Sequence, residues 1–407
     1  VTPKRASAPS THDVDYLASP QEAADFLTSI AETRVLAVDT EGASFHRFVD
    51  RIYLLQLSTE TRHAIIDPLQ VPSPNALGRL LEAPQVEVVF HDADYDLRLL
   101  HQDYGWRVVN IFDTRIAAQL AGIKSFGLAA LLERYFGIKL DKRHQRADWS
   151  MRPLTADMLD YAAQDTRHLL ALRERLRHEL TRLGRWGWAQ EEFARLEGTQ
   201  WPNDDADMAY LRTKGARDLS RRGLAILREL SRWRDDVARA IDKSSFRVAG
   251  NEVLLDLARQ APTTTAALKS TKGLGARLVE LRGEEILEAI RRGLAVPEEE
   301  LPRWPKAPRW NRDPSFDDRL GRLKTVRDAA AERLSLDPGV LCGRERMETI
   351  ARRNPTSLEE LSEVPEVRRW QVEALGDAFL RALRNGNGDS PQASTRRSAG
   401  DSPYRDG

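Results

Sequence analysis

Three short stretches of this sequence place carboxylates where an ordinary fold has little use for them. Val38-Asp39-Thr40-Glu41-Gly42 closes an apolar run with two acids two positions apart, and in extended chain such residues point to the same side. His91-Asp92-Ala93-Asp94-Tyr95-Asp96-Leu97 runs from a second apolar stretch into a helix crowded with acids. Asp92 or Asp94 suits a helix cap there, but Asp96 lies too far in for that role. Tyr161-Ala162-Ala163-Gln164-Asp165 sets a tyrosine and an aspartate four apart, on one face of a helix. One aspartate at a strand end is an ordinary turn residue. Three such sites together point to a shared centre.

Convergence of Asp39, Glu41, Asp96 and Asp165 would be costly without cations, since each like-charged pair at ~4 Å is unfavourable by on the order of 1 to 4 kcal/mol. A donor set made only of carboxylates selects hard ions, so Mg²⁺ or Mn²⁺ is expected and Zn²⁺ is not. Two such ions roughly 3.5 to 4 Å apart are the usual arrangement for phosphodiester cleavage, one lowering the pKa of the attacking water and the other stabilising the leaving oxygen. Tyr161, with an ordinary pKa near ~10, is a poor base at neutral pH and is better suited to positioning that water.

The elements that must hold these acids can be read around them. Val35 to Val38, Ile52 to Leu57 and Ala64 to Ile66 are β-branched runs close enough to be antiparallel neighbours. Val86 to Phe90 and Val108 to Phe112, separated by a helical stretch around Leu97 to Leu100, read as parallel strands joined by a crossover. The pattern predicts an α/β domain with a mixed sheet over residues 13–206, after a flexible N-terminus of residues 1–12. Its longest helix is expected from about Ala156 to Leu180, with Thr155 as N-cap.

Beyond Trp201-Pro202-Asn203-Asp204-Asp205 the pattern becomes all helical. Leu254 to Leu268 repeats as Met347 to Leu361 at a constant offset of 93, and the shared Ala-Arg-x-x-Pro-Thr fixes the register. Two tandem helical domains are therefore predicted, over 208–296 and 315–384. They are joined by a Pro- and Trp-containing linker, 297–314, whose Trp304 and Trp310 either stack on bases or pack on a neighbour. The polar stretch 385–407 reads as disordered.

The net charge of zero hides an asymmetry. From Thr11 to Gln200 there are 22 Lys/Arg against 28 Asp/Glu, whereas from Met208 to Val296 there are 18 against 11. An acidic front joined to a basic middle suits a metal-using enzyme with a module that grips a polyanion. Arg221, Arg222, Arg232, Arg234, Lys243 and Arg247 are the candidate grip. No run approaches the roughly 20 apolar residues that span a bilayer. Val1 to Ser10 carries no apolar run of a leader, and one cysteine, Cys342, forms no internal disulfide, so a reducing, cytoplasmic setting without structural zinc is expected.

The ordered set DTEG, HDADYDL and YAAQD resembles the three exonuclease motifs of the DEDD superfamily, in the branch whose third motif carries tyrosine. Leu140 to Thr155 is similar to the matching stretch of ribonuclease D, and the helical repeat resembles the HRDC domains that follow its nuclease, so the resemblance covers Asp13 to Arg384. It implies a ribonuclease-H-like sheet with Asp39, Glu41, Asp96 and Asp165 as ligands of two divalent ions and Tyr161 beside the water. It also implies 3′-to-5′ hydrolysis of RNA to nucleoside 5′-monophosphates, with tRNA precursors and other structured small RNAs as substrates. A DNA exonuclease and a catalytically silent nucleic-acid-binding protein are the competing expectations. His91, Lys142, Arg143, Arg146 and Arg152 are candidate substrate contacts, with Phe45 and Trp149 as stacking partners, though Trp149 suits a core equally and residues 142–146 suit a solvated loop. Two departures stand out. Gly42 replaces the bulky residue often found there, which predicts a wider or differently lined terminal-base pocket, and the second repeat has Val326-Arg327 where the first has Trp233-Arg234.

Overall fold

The apolar runs assemble into a single mixed sheet whose strand order places the first acidic strand next to its centre. The computed structural model describes residues 14–141, 143–202, 206–305 and 313–384; the expectations for residues 1–12 and 385–407, and for Lys142 and Trp310, lie outside the described residues. The chain divides into two compact units, Val1–Arg309 and Trp310–Gly407.

In chain order the first part contains β1 (Asp15–Leu17), α1 (Pro20–Ser29), β2 (Val35–Glu41), β3 (Leu54–Ser58), β4 (His63–Ile66), α2 (Asn75–Leu81), β5 (Glu87–Phe90), α3 (Asp94–Tyr104), β6 (Ile111–Asp113), α4 (Thr114–Leu120), α5 (Leu128–Phe136), α6 (Ala156–Arg167), α7 (Leu169–Arg182) and α8 (Trp186–Leu196). The sheet order is β1-β4-β3-β2-β5-β6. Strands β2, β3 and β4 are antiparallel neighbours, while β2–β5 and β5–β6 are parallel. Strand β1, three residues at the edge and parallel to β4, was too short to leave a pattern in the sequence.

Alternation along the strands makes two cores. Leu36, Val38, Leu55, Leu57, Val88 and Phe90 face one side, with Leu97 and Leu100 of α3. Leu54 and Ile65 face the other, with Ala162 and Ala163 of α6 and the fully buried Trp149. By the same alternation Asp39 and Glu41 share the α6 side, and Thr40 points back toward α3.

The helix expected to run unbroken from Ala156 to Leu180 is two helices, separated at His168 (φ −106°, ψ 0°). The break lets α6 lie on β2, β3 and β4 while α7 turns to pack on α4 and α5. Helical periodicity continues on both sides of the seam, so the sequence gives no sign of it. Thr155 does cap α6, accepting the Met158 N–H at 3.2 Å.

After these come α9 (Arg221–Ala240), α10 (Ser245–Val248), α11 (Asn251–Gln260), α12 (Thr265–Lys269) and α13 (Ala276–Ala295) within the first unit. The second unit holds α14 (Phe316–Leu334), α15 (Pro338–Leu341), α16 (Arg344–Arg353), α17 (Leu358–Ser362) and α18 (Arg369–Arg384). The 93-residue offset carries α10, α11 and α12 onto α15, α16 and α17 residue for residue. Matched left-handed residues, Ala261 and Asn354, end the third helix of each set, and Thr264 and Ser357 cap the fourth through their hydroxyls. Among the described residues no helix is long and apolar enough to cross a membrane.

Candidate active site

Strand β2 outruns its neighbour β5: that ladder ends at Ala37–Val89, while pairing with β3 continues to Glu41–Leu54. The last residues of β2 therefore have one edge free, and α3 fills it. The Thr40 N–H and hydroxyl both donate to Asp96 Oδ1, at 3.0 and 2.6 Å. On the other face α6 brings in Asp165. Asp39, Glu41 and Asp165 can each offer a carboxylate oxygen, all within 4.8 Å of one another. Asp96 lines the same cleft, of about 750 Å³, but is held by Thr40 rather than gathered into that triad. Neither Asp92 nor Asp94 caps α3; they pair with Arg115 and Arg98.

Burial is the first cause that pushes all four acids up. For Asp39 the charges of Asp96, Asp165 and Glu41 add to it, and for Glu41 those of Asp165 and Asp96. Asp96, lowered by its Thr40 bonds, still stands at about 7, as does Asp165. The cluster is thus short of positive charge, and its donors are all oxygen, the set that suits hard divalent ions. Gln56, directly across from Asp39 on β3, is fully buried with neither amide atom partnered among the described residues, so further hydrogen-bonding capacity lies beside the carboxylates. These residues fit a divalent metal centre.

Tyr161 lines the cleft one turn before Asp165, stacked on Trp149 with ring centroids 6.0 Å apart. Burial, then the charges of Asp165, Glu41 and Asp39, push its phenol further up, so it stays protonated at any working pH. His91 also lines the cleft, with its imidazole pushed down to about 4 by burial. It is neutral at physiological pH and cannot act as a cation for phosphate. Thr114 donates to the Phe90 carbonyl at 3.0 Å and lies 2.8 Å from His91 Nδ1. Both contacts coexist when Nδ1 carries the proton, which leaves Nε2 as an acceptor.

The remaining sequence candidates divide. Phe45, half exposed, and Arg146 line the cleft, with the Arg146 guanidinium 5.9 Å from the Phe45 ring. Trp149 is a correction: it is 2% exposed and covered by Tyr161, so it supports the site and offers no open face to a base. Arg152 is another, because it does not line the cleft and instead clamps the buried Asp67 with two 2.7 Å bonds and reaches the Tyr53 carbonyl. Arg143 does not line the cleft itself but pairs with Asp141, which does. A Cβ at Gly42 would meet the Tyr95 hydroxyl at 2.7 Å and Asp50 Oδ1 at 2.8 Å, so the space that glycine seemed to open is filled by the Tyr95–Asp50 pair.

Among the grip residues, Arg222 caps the end of α13 through the Gly293, Leu294 and Val296 carbonyls, and Arg221 holds the Glu298 and Leu301 carbonyls. Arg234 braces its own domain through the Ala249 carbonyl and Asn251, and Arg327 in the second repeat holds the equivalent carbonyl, that of Cys342. Of the grip candidates, Arg221, Arg222 and Arg234 thus brace the helical domain, a role that a charge count cannot distinguish from a grip. Arg232 pairs with Glu229, while Lys243 and Arg247 stand exposed. Trp304 packs on the first helical core.

Sequence reasoning missed Thr40 and Asp113. Asp113 is buried, caps α4 and accepts the Ala93 N–H at 2.8 Å, which fixes the turn ahead of Asp96. An aspartate between a strand and a helix is the signal that could have found it.

Comparison with known proteins agrees with this geometry. Residues 15–181 match a 3′-5′ exonuclease family model, and residues 201–290 and 316–383 match the HRDC domain. The chain is 31% identical to ribonuclease D of Pseudomonas paraeruginosa over 86% of its own length and 92% of that protein. It is 35% identical to exosome complex component 10 of Rattus norvegicus, over 56% of this chain and 27% of that one. The crystal structure of Escherichia coli RNase D, described as an exoribonuclease involved in structured RNA processing, superposes with a TM-score of 0.70 at 25% identity, covering 91% of this chain and 99% of that one. With this fold, this carboxylate cluster and these matches, the chain belongs to the ribonuclease D family of 3′-to-5′ exoribonucleases.

Proposed function

We propose that the chain removes nucleotides one at a time from the 3′ end of structured small RNAs, tRNA precursors among them, and releases nucleoside 5′-monophosphates in the cytoplasm. The observation that carries this reading is the meeting of Asp39 and Glu41 from β2 with Asp165 from α6 in one cleft, with Asp96 beside them. Asp39, Glu41, Asp96 and Asp165 would hold two Mg²⁺ or Mn²⁺ ions, which would supply an activated water and stabilisation of the departing 3′ oxygen. Tyr161 keeps its proton and orients the water by a hydrogen bond. Neutral His91 presents an acceptor to a hydroxyl of the terminal nucleotide. Phe45 and Arg146 meet the base and phosphate that follow. In this reading residues 13–206 cut and the first helical domain, 208–296, grips the RNA body, while the 297–314 linker joins it to the second, divergent helical domain, 315–384.

The test is digestion of RNA and DNA oligonucleotides of one sequence, labelled at the 5′ end, with Mg²⁺, with Mn²⁺ and with chelator. The expected result is metal-dependent shortening of RNA from its 3′ end. Clear preference for DNA would replace the substrate, and intact RNA in every metal would leave a binding protein without activity.

A further inference from the structure

Loop 43–48, which carries Phe45 and His46 along the cleft, is held from outside by the first helical domain. Asp242 accepts from the Arg47 guanidinium at 3.0 Å and from the Phe48 N–H at 3.3 Å. The Ser244 hydroxyl, buried, donates to the Ser44 carbonyl and lies 3.2 Å from that of Arg47. Arg239 sits 5.0 Å from the Phe48 ring, and Arg247 is 3.4 Å from His46 Nδ1. Phe246 meets Phe45 edge to face, with centroids 6.0 Å apart, yet each ring remains 53% exposed.

The internal repeat shows which of these features belong to helical packing and which do not. At the offset of 93, Ser244 corresponds to Asp337, which spends its side chain on capping α15 through the Gly339 and Val340 N–H groups. Ser244 makes no such cap for α10; its hydroxyl is turned to the nuclease loop. Phe246 corresponds to Gly339, and Asp242 to Ser335. The helical fold therefore forms without a ring at this position, and Asp242, Ser244 and Phe246 are side chains that the second copy does not share.

We propose that the first helical domain completes the substrate cleft. In this arrangement Phe246 and Phe45 form a two-ring step on which the base behind the 3′-terminal nucleotide stacks, and Asp242 and Ser244 are positioning residues that hold the loop bearing Phe45. The chemistry of the patch selects nucleobases: exposed rings interleaved with cations, here Arg146, Arg247 and Lys243, are how single strands are bound without regard to sequence. The step adjoins the carboxylates because Phe45 lines the same cleft. This inference rests on the exoribonuclease reading and deepens it by naming Phe246, together with Phe45, as the ring that meets the base behind the 3′-terminal nucleotide.

The experiment uses the full chain carrying Asp165→Asn, so that RNA is bound and not cut, and an oligonucleotide with 2-aminopurine next to its 3′-terminal nucleotide. Binding quenches the 2-aminopurine in the parent; Phe246→Ala is expected to abolish the quench and raise Kd about tenfold, the size of one lost base stack. Phe246→Tyr restores both. Asp242→Ala raises Kd severalfold with Phe246 in place, and in the chain with Asp165 restored Phe246→Ala raises KM far more than it lowers kcat. Unchanged quench and Kd in Phe246→Ala would overturn the proposal, as would equal losses in the Ala and Tyr variants with a lowered Tm, the mark of a purely structural contact. A parent that binds no RNA at all would overturn the exoribonuclease reading, and this inference with it.

Discussion

Thr40 gives both its backbone N–H and its hydroxyl to one oxygen of Asp96, so the residue between the first two carboxylates holds the third in place. Thr40→Val keeps the shape and removes the 2.6 Å bond. With Asp96 in its proposed role as a metal ligand, loss of the group that orients it is expected to weaken Mn²⁺ binding about tenfold, read by calorimetry, with Tm changed little. Unaltered Mn²⁺ affinity would show that the hydroxyl only packs.

Burial raises Asp96 and Asp165 to about 7 in the folded chain, above their unfolded values. Between those limits the native state binds more protons, so metal-free stability is greatest below the unfolded pKa and falls as pH rises through about 7. The slope per group is about 1.4 kcal/mol per pH unit at its steepest. Melting in chelator should therefore shift down from pH 5.5 to 8, and Mn²⁺ should reverse the shift. Asp39→Asn or Asp165→Asn should abolish turnover, leave RNA affinity nearly as it was, and raise the metal-free Tm. A lower metal-free Tm would contradict the repulsion account.

His91 is neutral because burial holds its imidazole down at about 4, and its Nε2 is an acceptor. His91→Gln, which still offers an acceptor, should keep most of kcat/KM, whereas the cation in His91→Lys should not substitute. Rescue by lysine instead would mean that the wild-type ring serves as a positive charge.

Arg146 and Arg152 were grouped by sequence and are separated by the fold. Arg146→Glu should raise KM for RNA with Tm preserved, since it lines the cleft. Arg152→Ala leaves Asp67 buried with a large part of its partner set removed, and should cost about 3 to 5 kcal/mol in chemical denaturation. The opposite pattern would exchange their roles.

Lys243 and Arg247 are exposed cations of the first helical domain, and Arg247 reaches His46 of the loop that this domain holds. Each phosphate contact to a single strand contributes a salt slope of about 0.7, so the double alanine variant should flatten the dependence of log Kd on log salt by about 1.4. An identical slope would move the grip elsewhere. Judged by sequence alone, a nuclease domain ending near residue 205 still cleaves short single strands but loses affinity; Asp242 and Ser244 show that such a cut would also take the partner of the Phe45 loop away.

What the sequence determined by itself is what local spacing encodes. Asp39 and Glu41 share a face because a strand alternates, Tyr161 and Asp165 share a face because a helix turns every 3.6 residues, and the repeat is legible because both copies end helices with the same left-handed and capping positions. The tertiary structure alone decided the rest. Whether Arg152 meets RNA or Asp67, whether Arg222 grips phosphate or caps α13, and whether Gly42 opens a pocket or makes room for Tyr95 depend on groups 53 to 85 residues away in sequence. A charge has the same local signature in each case, and only the chain's packing supplies the partner that fixes its work. The seam at His168 and the docking of Phe246 beside Phe45 are of that kind too: each follows from which surfaces lie against each other, and side-chain periodicity carries no record of it.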